Sequence, residues 1–240
     1  GGLLNEIETK KSVHGDTHPE VARSYNNLGA LCAKHRKFDK AYEYTTKSLR
    51  ILESIYGENH PHIARSYISL GTILLEQGKP DALQYFFRSI EISRAIYGNE
   101  PNLPTCEAYN MLGTASSTQG EHHKAFEYYL KGHEIEKAIH GNSHPQIALS
   151  YNNLGVASSA LGDSKKAFDY YSKAIDVYES LGIKEDSVLA SAIHNIGVIY
   201  GSQNEYEKAL EYYQRGLEMR KSIYKGDNHP EVALSYERIG

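Results

Sequence analysis

The stretch HPEVARSYNNLG, from His18 to Gly29, decides the fold of this chain because it returns at a fixed interval. HPQIALSYNNLG runs from His144 to Gly155, and HPEVALSYERIG runs from His229 to Gly240. A period of this length is the mark of stacked repeats. The final glycine recurs in four steps of 42 residues and one of 43, at Gly29, Gly71, Gly113, Gly155, Gly197 and Gly240.

Large and small residues recur within each period at helical spacings. Four residues before the glycine stand Tyr25, Tyr67, Tyr109, Tyr151, Ile193 and Tyr236. A second block begins at Ala41, Ala82, Ala125, Ala167 and Ala209, and four residues later it holds Thr45, Phe86, Tyr129, Tyr171 and Tyr213. Offsets of three, four and seven residues place side chains on one face of a helix. Each period therefore predicts two helices joined by a turn.

Glycine and asparagine mark the ends of these helices. The turn inside the repeat carries Gly78, Gly120, Gly162 and Asn204, which tolerate a left-handed backbone. Arg36 takes this place in the first repeat, where we expect a differently shaped turn. The second helices are predicted to end at Gly57, Gly98, Gly141, Gly182 and Gly226. Stacking buries the apolar stripe of each hairpin, so the predicted fold is all-α, a right-handed superhelical solenoid of antiparallel helix pairs.

The repeated residues resemble a known family. Tyr, Leu and Gly in the first helix, then Ala, an aromatic and a small residue in the second, resemble the tetratricopeptide repeat, with Tyr in place of the usual Trp. The 42-residue length and the HPxVAxSYNNLG stretch resemble the kinesin light chain type of this repeat. The resemblance implies a non-catalytic, protein-binding solenoid and adaptor work. The coiled-coil heptads that precede the repeats in kinesin light chains are absent from this sequence.

The repeats predict one tetratricopeptide-like array over residues 1–240. Residues 1–17 are predicted to close a preceding second helix, and residues 229–240 to open a sixth repeat. The five full repeats are predicted at 18–59, 60–101, 102–143, 144–185 and 186–228. The sequence starts with Gly-Gly rather than Met, and no polar cap is recognisable at either end. We therefore expect a fragment of a longer protein.

Composition excludes several classes of function. The formal net charge is −4 and the pI about 6.3, which disfavours non-specific binding to nucleic acid or an anionic membrane. No apolar run is long enough to span a bilayer, and there is no secretory signal. The two cysteines, Cys32 and Cys106, occupy different places in the repeat. A reducing, cytoplasmic setting is therefore expected.

The twelve histidines raise the question of a metal site. His18, His60, His144 and His229 each precede a proline, and Asn102 and Asp186 take the same slot in the other repeats. Asn and Asp are favoured N-caps and proline is favoured at the first helical position, so these histidines are predicted N-caps. One histidine per repeat places neighbouring ligands about 10 Å apart, whereas a zinc ligand lies about 2 Å from its ion. No metal and no cofactor are predicted.

The sequence holds no G-x-S-x-G, no P-loop lysine, no H-E-x-x-H and no dinucleotide glycine fingerprint. We therefore predict that the chain is not an enzyme. The functional surface of a solenoid is expected on its concave groove, lined by the first helices.

A helical wheel assigns the groove. With 100° per residue, Tyr25, Leu28 and Gly29 form the packed stripe of the first helix. Asn27 and Lys34 lie on the opposite side, and Asn26 lies on its flank. The same slots in later repeats give the candidate peptide-binding residues Arg23, Asn27, Lys34, Arg65, Ser69, Met111, Leu149, Asn153, Val156, Asn195 and Val198.

These residues suggest what the groove reads. An amide donates and accepts hydrogen bonds, so Asn27, Asn153 and Asn195 can pair with a peptide backbone. The family resemblance implies such an asparagine ladder, interrupted here by Ser69 and Met111. Arg23, Lys34 and Arg65 predict acidic ligand residues near the first repeats, whereas Leu149, Val156, Val198 and Leu234 predict an apolar anchor near the last. As an alternative, Asn27 bonds to a neighbouring helix.

The predicted function is a non-catalytic scaffold or adaptor that binds a peptide or partner protein in this groove. Nucleic acid and membrane are not expected partners. An alternative is a regulatory sensor module attached to an enzyme or NTPase domain outside this sequence. A third possibility is self-association through uncapped ends.

Overall fold

The computed structural model describes residues 2–226 and 228–239, and in them the chain is all-helical, with no strand. The helices are α1 (Gly2–His14), α2 (Pro19–Lys34), α3 (Phe38–Tyr56), α4 (Pro61–Glu76), α5 (Ala82–Tyr97), α6 (Leu103–Thr118), α7 (His122–His140), α8 (Pro145–Ala160), α9 (Ser164–Ser180), α10 (Ser187–Ser202), α11 (Tyr206–Tyr224) and α12 (Pro230–Ile239). The predicted helical class is confirmed. The recurring glycine at position 240 lies outside the described residues. None of the described helices is both long and apolar enough to cross a membrane.

The chain divides into two compact units at Gln119 and Gly120. In unit 1, α2 packs against α3 and α4 against α5, and these pairs are joined through α3–α4 contacts. In unit 2, α8 packs against α9 and α10 against α11, with α9 contacting α10. First helices also touch each other, α4 with α6 and α8 with α10. Each unit is therefore a stack of helix hairpins whose first helices lie side by side.

The recurring glycine is a contact point between the two helices of a pair. A Cβ atom added to Gly155 would lie 2.5 Å from the ring of Tyr171, and one on Gly29 would lie 2.5 Å from Thr45 Oγ1. Gly71 meets Phe86 and Gly197 meets Tyr213 in the same way, at 2.7 and 2.9 Å. In each of these four pairs the nearest partner is the residue four places after the recurring alanine. A larger residue at these four positions would force the facing side chain to shift, which favours glycine there.

The histidine slot is the N-cap of the first helix, as predicted. Nδ1 of His18 accepts the backbone N–H of Glu20 at 3.2 Å, and His60, His144 and His229 do the same two residues on. Asn102 and Asp186 cap their helices through Oδ1.

The histidine ring also stacks on the end of the preceding helix. The ring centroids are 4.5 Å apart for His14–His18, 4.1 Å for Tyr56–His60, 4.1 Å for His140–His144 and 3.6 Å for Tyr224–His229. Histidine therefore caps one helix and holds it against the helix before it.

The turn at Arg36 has the same shape as the others, so the expectation of a different turn was wrong. Arg36 has φ 57°, close to Gly78 at 68° and Asn204 at 62°. Its backbone bonds repeat those of the glycine turns: Lys37 N–H donates to Cys32 O, and Lys79 N–H to Leu74 O, both at 2.8–2.9 Å. The stack imposes this turn, and Arg36 adopts a conformation that glycine adopts more cheaply.

Glycines with positive φ follow the second helices, at Gly57, Gly98, Gly141 and Gly182, as predicted. Gly226 also has a positive φ, 140°, but the inserted Lys225 separates it from the helix. Lys225 directly follows α11 and takes the left-handed conformation, with φ 54°. The inserted residue thus occupies the place that glycine holds elsewhere.

Candidate functional site

The exposed side of the first helices, here called the first-helix face, follows the helical wheel closely. In α2 the buried residues are Val21, Ala22, Ser24, Tyr25, Leu28, Gly29 and Cys32. Arg23, Asn27 and Lys34 are exposed, as predicted. Asn26, assigned to the flank, is exposed as well. The first-helix face is therefore wider than the wheel implied, and both asparagines of the motif belong to it.

In unit 1 this face holds a cavity of about 630 Å³, here called the polar pocket. It brings together three predicted residues, Arg23, Arg65 and Ser69. The remaining lining comes from α2, α3, α4 and α6, namely Pro19, Glu20, Asn26, Ser48, Leu52, Tyr56, His62, Ser66 and Glu107. A polar, concave site on adjacent first helices is the geometry that a bound segment would need.

Charges in the polar pocket are partly compensated. Arg23 Nη2 lies 2.8 Å from Glu20 Oε2, so this guanidinium is already ion-paired. Arg65 is exposed, and none of the carboxylates in the described chain lies within 4 Å of it. Glu107 adds a second carboxylate to the lining. Arg65 is therefore the cation that the pocket leaves for a ligand.

Sequence reasoning missed the contribution of the second helices. Ser48, Leu52 and Tyr56 of α3 line the polar pocket together with the first helices. The slot of Leu52 repeats as Ser93, Glu136, Tyr178 and Arg220, and each of these four is buried. The 42-residue period could have revealed this row, four residues after Ser48, Ser89, Gly132, Ala174 and Gly216. In successive repeats this slot holds an apolar, a hydroxyl, an acidic, an aromatic and a basic side chain.

A second cavity in unit 1, the apolar pocket, lies further along α4 and α6. Its volume is about 500 Å³, and it holds the predicted residue Met111 with Thr72, Leu75, Glu76, Gly78, Lys79, Thr114, Thr118 and Gln119. The hydroxyls of Thr72, Thr114 and Thr118 donate to carbonyls of their own helices at 2.8–3.1 Å. These threonines therefore offer mainly methyl groups. Asn27 and Lys34 line neither pocket.

Unit 2 has a smaller cavity of about 230 Å³ on its first-helix face. It is lined by Asn152, Ser187, Val188, Ser191, Arg220, Tyr224 and Glu231, none of which belongs to the eleven predicted residues. Arg220 is buried, donates from Nη1 to Ser235 Oγ at 2.6 Å, and lies 3.8 Å from Glu231. Burial lowers the pKa of the Arg220 guanidinium. Asn152 Oδ1 is buried without a donor among the described residues.

The predicted residues of unit 2 lie on α8 and α10. Val156 and Val198 are 40% and 37% exposed, whereas Leu149, Asn153 and Asn195 are half-buried. Burial raises the pKa of the Tyr171 hydroxyl, whereas the neighbouring side chains of Ser159 and Asn195 act to lower it. Asn195 therefore lies beside a residue of the preceding repeat, the kind of setting considered as an alternative for Asn27. Asn27 is exposed and Asn153 is half-buried, and both remain candidates for contact with a ligand.

The histidines and cysteines have structural settings. His133 is buried, and its Nδ1 lies 2.7 Å from Ser150 Oγ. Burial lowers the pKa of His194 to about 4, and the nearby charges of Arg220 and Arg238 add to this shift. Cys32 and Cys106 are buried, and neither is part of a disulfide in the described chain. In the described part of the chain, no three His, Cys, Asp or Glu side chains come together as metal ligands.

Comparison with known proteins gives consistent matches. One family model described as tetratricopeptide repeat matches residues 34–95 and 104–180. A second model with the same description matches residues 189–231. No curated protein sequence matches the chain.

Several solved structures share this architecture. The structure of BtubC (BKLC) from P. vanneervenii has a TM-score of 0.78 at 20% identity, covering 95% of this chain and 90% of that one. The structure of nearly identical TPR-like repeats of a putative kinesin light chain from Podosopora anserina has a TM-score of 0.70 at 17% identity. The match covers 86% of this chain and 98% of that one. The structure of a Rap protein complexed with Competence and Sporulation Factor has a TM-score of 0.69 at 18% identity. The match covers 98% of this chain and 66% of that one.

Proposed function

Since the chain belongs to the tetratricopeptide repeat family, whose members generally act as protein-interaction scaffolds, we propose that it binds a peptide or partner protein on its first-helix face. The polar pocket of unit 1 is the observation that carries this proposal. It is lined by three first helices and one second helix, and its lining combines polar side chains with Leu52 and Tyr56.

The two pockets of unit 1 support a ligand with two kinds of contact. Arg65 and Ser69 of α4 line the polar pocket, whereas Thr72 and Leu75 of the same helix line the apolar pocket. Glu107 and Met111 divide between the two pockets in the same way along α6. A bound segment would place a carboxylate near Arg65 and an apolar side chain near Met111. The sequence instead predicts the apolar anchor near the last repeats, at Leu149, Val156, Val198 and Leu234, and that expectation stays a prediction.

The solved Rap structure supports the idea that a fold of this kind holds a second molecule, because that protein was determined in complex with Competence and Sporulation Factor. The similarity to a putative kinesin light chain supports adaptor work, in which the chain links a partner to other machinery. We place this work in the cytoplasm because neither described cysteine forms a disulfide, as expected under reducing conditions.

Affinity capture with quantitative mass spectrometry tests the proposal. The baits are wild type, Arg65→Glu and Arg50→Glu. Arg50 is an exposed arginine of α3 that lines none of the cavities described above. A true partner should be recovered by wild type and by Arg50→Glu, and lost by Arg65→Glu.

Recovery of the same partners by all three baits would place binding elsewhere than the polar pocket. If no bait retains any protein above background, the scaffold function itself is contradicted. Self-association through the ends remains a prediction, and light scattering over a concentration series tests it. A constant monomer mass would exclude it.

A further inference from the structure

The turn between α2 and α3 carries an unusual concentration of positive charge. Residues 34–40 read KHRKFDK. This segment contains four cationic residues, Lys34, Arg36, Lys37 and Lys40, and one acidic residue, Asp39. This formal charge of +3 lies in a chain whose total is −4. All four cations are exposed. The segment is therefore a local basic patch on an acidic protein.

The positive charge of this patch is not neutralised within the described chain. The ion pairs of the described chain use other cations, such as Lys47 with Glu43, Arg88 with Glu91 and Lys173 with Asp169. Asp39 is held by an amide instead, because Gln77 Nε2 donates to its Oδ1 at 3.1 Å. The four cations of the turn are thus left for an external anion.

The equivalent turns of the other repeats lack this charge. Segments 76–82, 118–124, 160–166 and 202–208 carry formal charges of −1, 0, +1 and −1. The residue before the second helix is Asp81, Glu121, Asp163 or Glu205 there, and Lys37 in the first repeat. The fold therefore accepts, and electrostatically prefers, an acidic residue at this place. Packing of the stack does not require the basic residues.

The patch surrounds a cavity of about 480 Å³, lined by Arg36, Lys37, Phe38, Asp39, Lys40 and Gln77. The Arg36 guanidinium lies 5.3 Å from the centre of the Phe38 ring, which orients it. Gln77 Oε1 is buried and has no donor among the described residues. The cavity thus combines three cations, an aromatic wall and an acceptor that lacks a donor.

We propose that this basic turn, formed by Arg36, Lys37 and Lys40 around the cavity, is a docking site for an acidic peptide segment of a partner protein. Carboxylates of the segment pair with the three exposed cations that line the cavity. A long nucleic acid fits less well because the charge is confined to one turn of a net acidic chain. The site is separate from the polar pocket and does not depend on the function proposed for the first-helix face.

Fluorescence anisotropy with a labelled ten-residue glutamate peptide tests the proposal. Wild type should bind at 50 mM salt and weaken at 200 mM, because charged contacts are screened. Lys37→Glu, which restores the charge found in the other turns, should weaken binding about tenfold or more. Lys165→Glu makes the same charge change at an exposed residue of unit 2 and should stay within about twofold of wild type.

Arg36→Gly provides a second variant that does not damage the fold. It installs the residue that the left-handed turn favours, so its melting temperature should equal or exceed that of wild type while peptide affinity falls. Equal affinity of wild type and Lys37→Glu overturns the proposal. So does tighter binding of a ten-nucleotide DNA strand than of the peptide. Arg65→Glu distinguishes the two sites: if it abolishes binding of the glutamate peptide while Lys37→Glu does not, the peptide occupies the polar pocket and the proposal for the basic turn is overturned.

Discussion

At the scale of single residues, the recurring glycine is the tightest constraint in the chain. Gly155 leaves no room for a methyl group against the buried ring of Tyr171, at 2.5 Å. Gly201, on helix α10, faces Tyr213 Oη at 3.4 Å and Ala209 Cβ at 3.8 Å, which is ordinary contact. Substituting these two glycines therefore distinguishes a steric requirement for glycine, at Gly155, from the low helix propensity of glycine, at Gly201.

We expect Gly155→Ala to lower the free energy of unfolding by about 1–3 kcal/mol, because the ring must shift in a packed core. Gly201→Ala should instead raise it by about 0.5–1 kcal/mol, the gain of alanine over glycine within a helix. Urea titration of both variants measures the difference. Two stabilised variants would show that the contact at Gly155 is not tight.

His194 makes stability depend on pH. Its folded pKa is depressed to about 4, mainly by burial, while the unfolded side chain titrates near 6.5. Below pH 6.5 the unfolded chain binds a proton that the folded chain refuses, so stability is complete above that pH and falls toward pH 4.

We expect the free energy of unfolding to drop by on the order of 1–3 kcal/mol more in wild type than in His194→Gln between pH 7 and pH 4.5. His123→Gln, at an exposed histidine, should follow wild type. Denaturant unfolding across this pH range provides the measurement. Parallel curves for wild type and His194→Gln would refute the burial of a neutral imidazole.

At the scale of elements, each first helix begins at a side chain with two tasks. His144 caps α8 through the N–H of Gln146 and stacks on His140 at the end of α7. Asp186 shows that an acid can cap the same slot without a ring.

His144→Ala should therefore destabilise the fold by about 1 kcal/mol or more, because it loses the cap and the stacked pair. His144→Asp keeps a cap and should cost less than alanine. Thermal melts of the two variants, compared at one pH, test this order. Equal losses would mean that stacking alone matters.

At the scale of the whole molecule, neighbouring residues of one helix have different roles: one stabilises the fold, and the other is a candidate for binding a partner. Leu154 is fully buried and packs against Ala125, Tyr129 and Ala157, whereas Asn153 lies beside it on the half-exposed side of α8. In a stacked array each hairpin depends on its neighbours, so a core defect acts through the interfaces.

Leu154→Ala should cost about 2–5 kcal/mol of unfolding free energy. Asn153→Ala should cost less than about 0.5 kcal/mol and reduce capture of a partner that binds unit 2. Differential scanning calorimetry and the capture experiment together separate the two effects. If Asn153→Ala melts as early as Leu154→Ala, the asparagine is structural and its place in the ligand site is wrong.

The sequence by itself determined the helix pairs, their caps and their packed stripe. These follow from local geometry: His, Asn or Asp before a helix, glycine after it, and residues such as Tyr25 and Leu28 at helical spacing all act within one turn or one hairpin. The exposed positions of Arg23, Asn27 and Arg65 were predictable for the same reason, because a residue opposite the packed stripe has no neighbour to bury it.

Only the tertiary structure decided which residues meet in a cavity. Leu52 and Tyr56 enter the polar pocket from a second helix, and Asn195 lies beside the Tyr171 hydroxyl of a neighbouring repeat. The shape of the Arg36 turn was also decided there, because the stack holds it in a glycine-like conformation. A helical wheel describes one helix at a time, whereas pockets and amide partners depend on how several helices pack together.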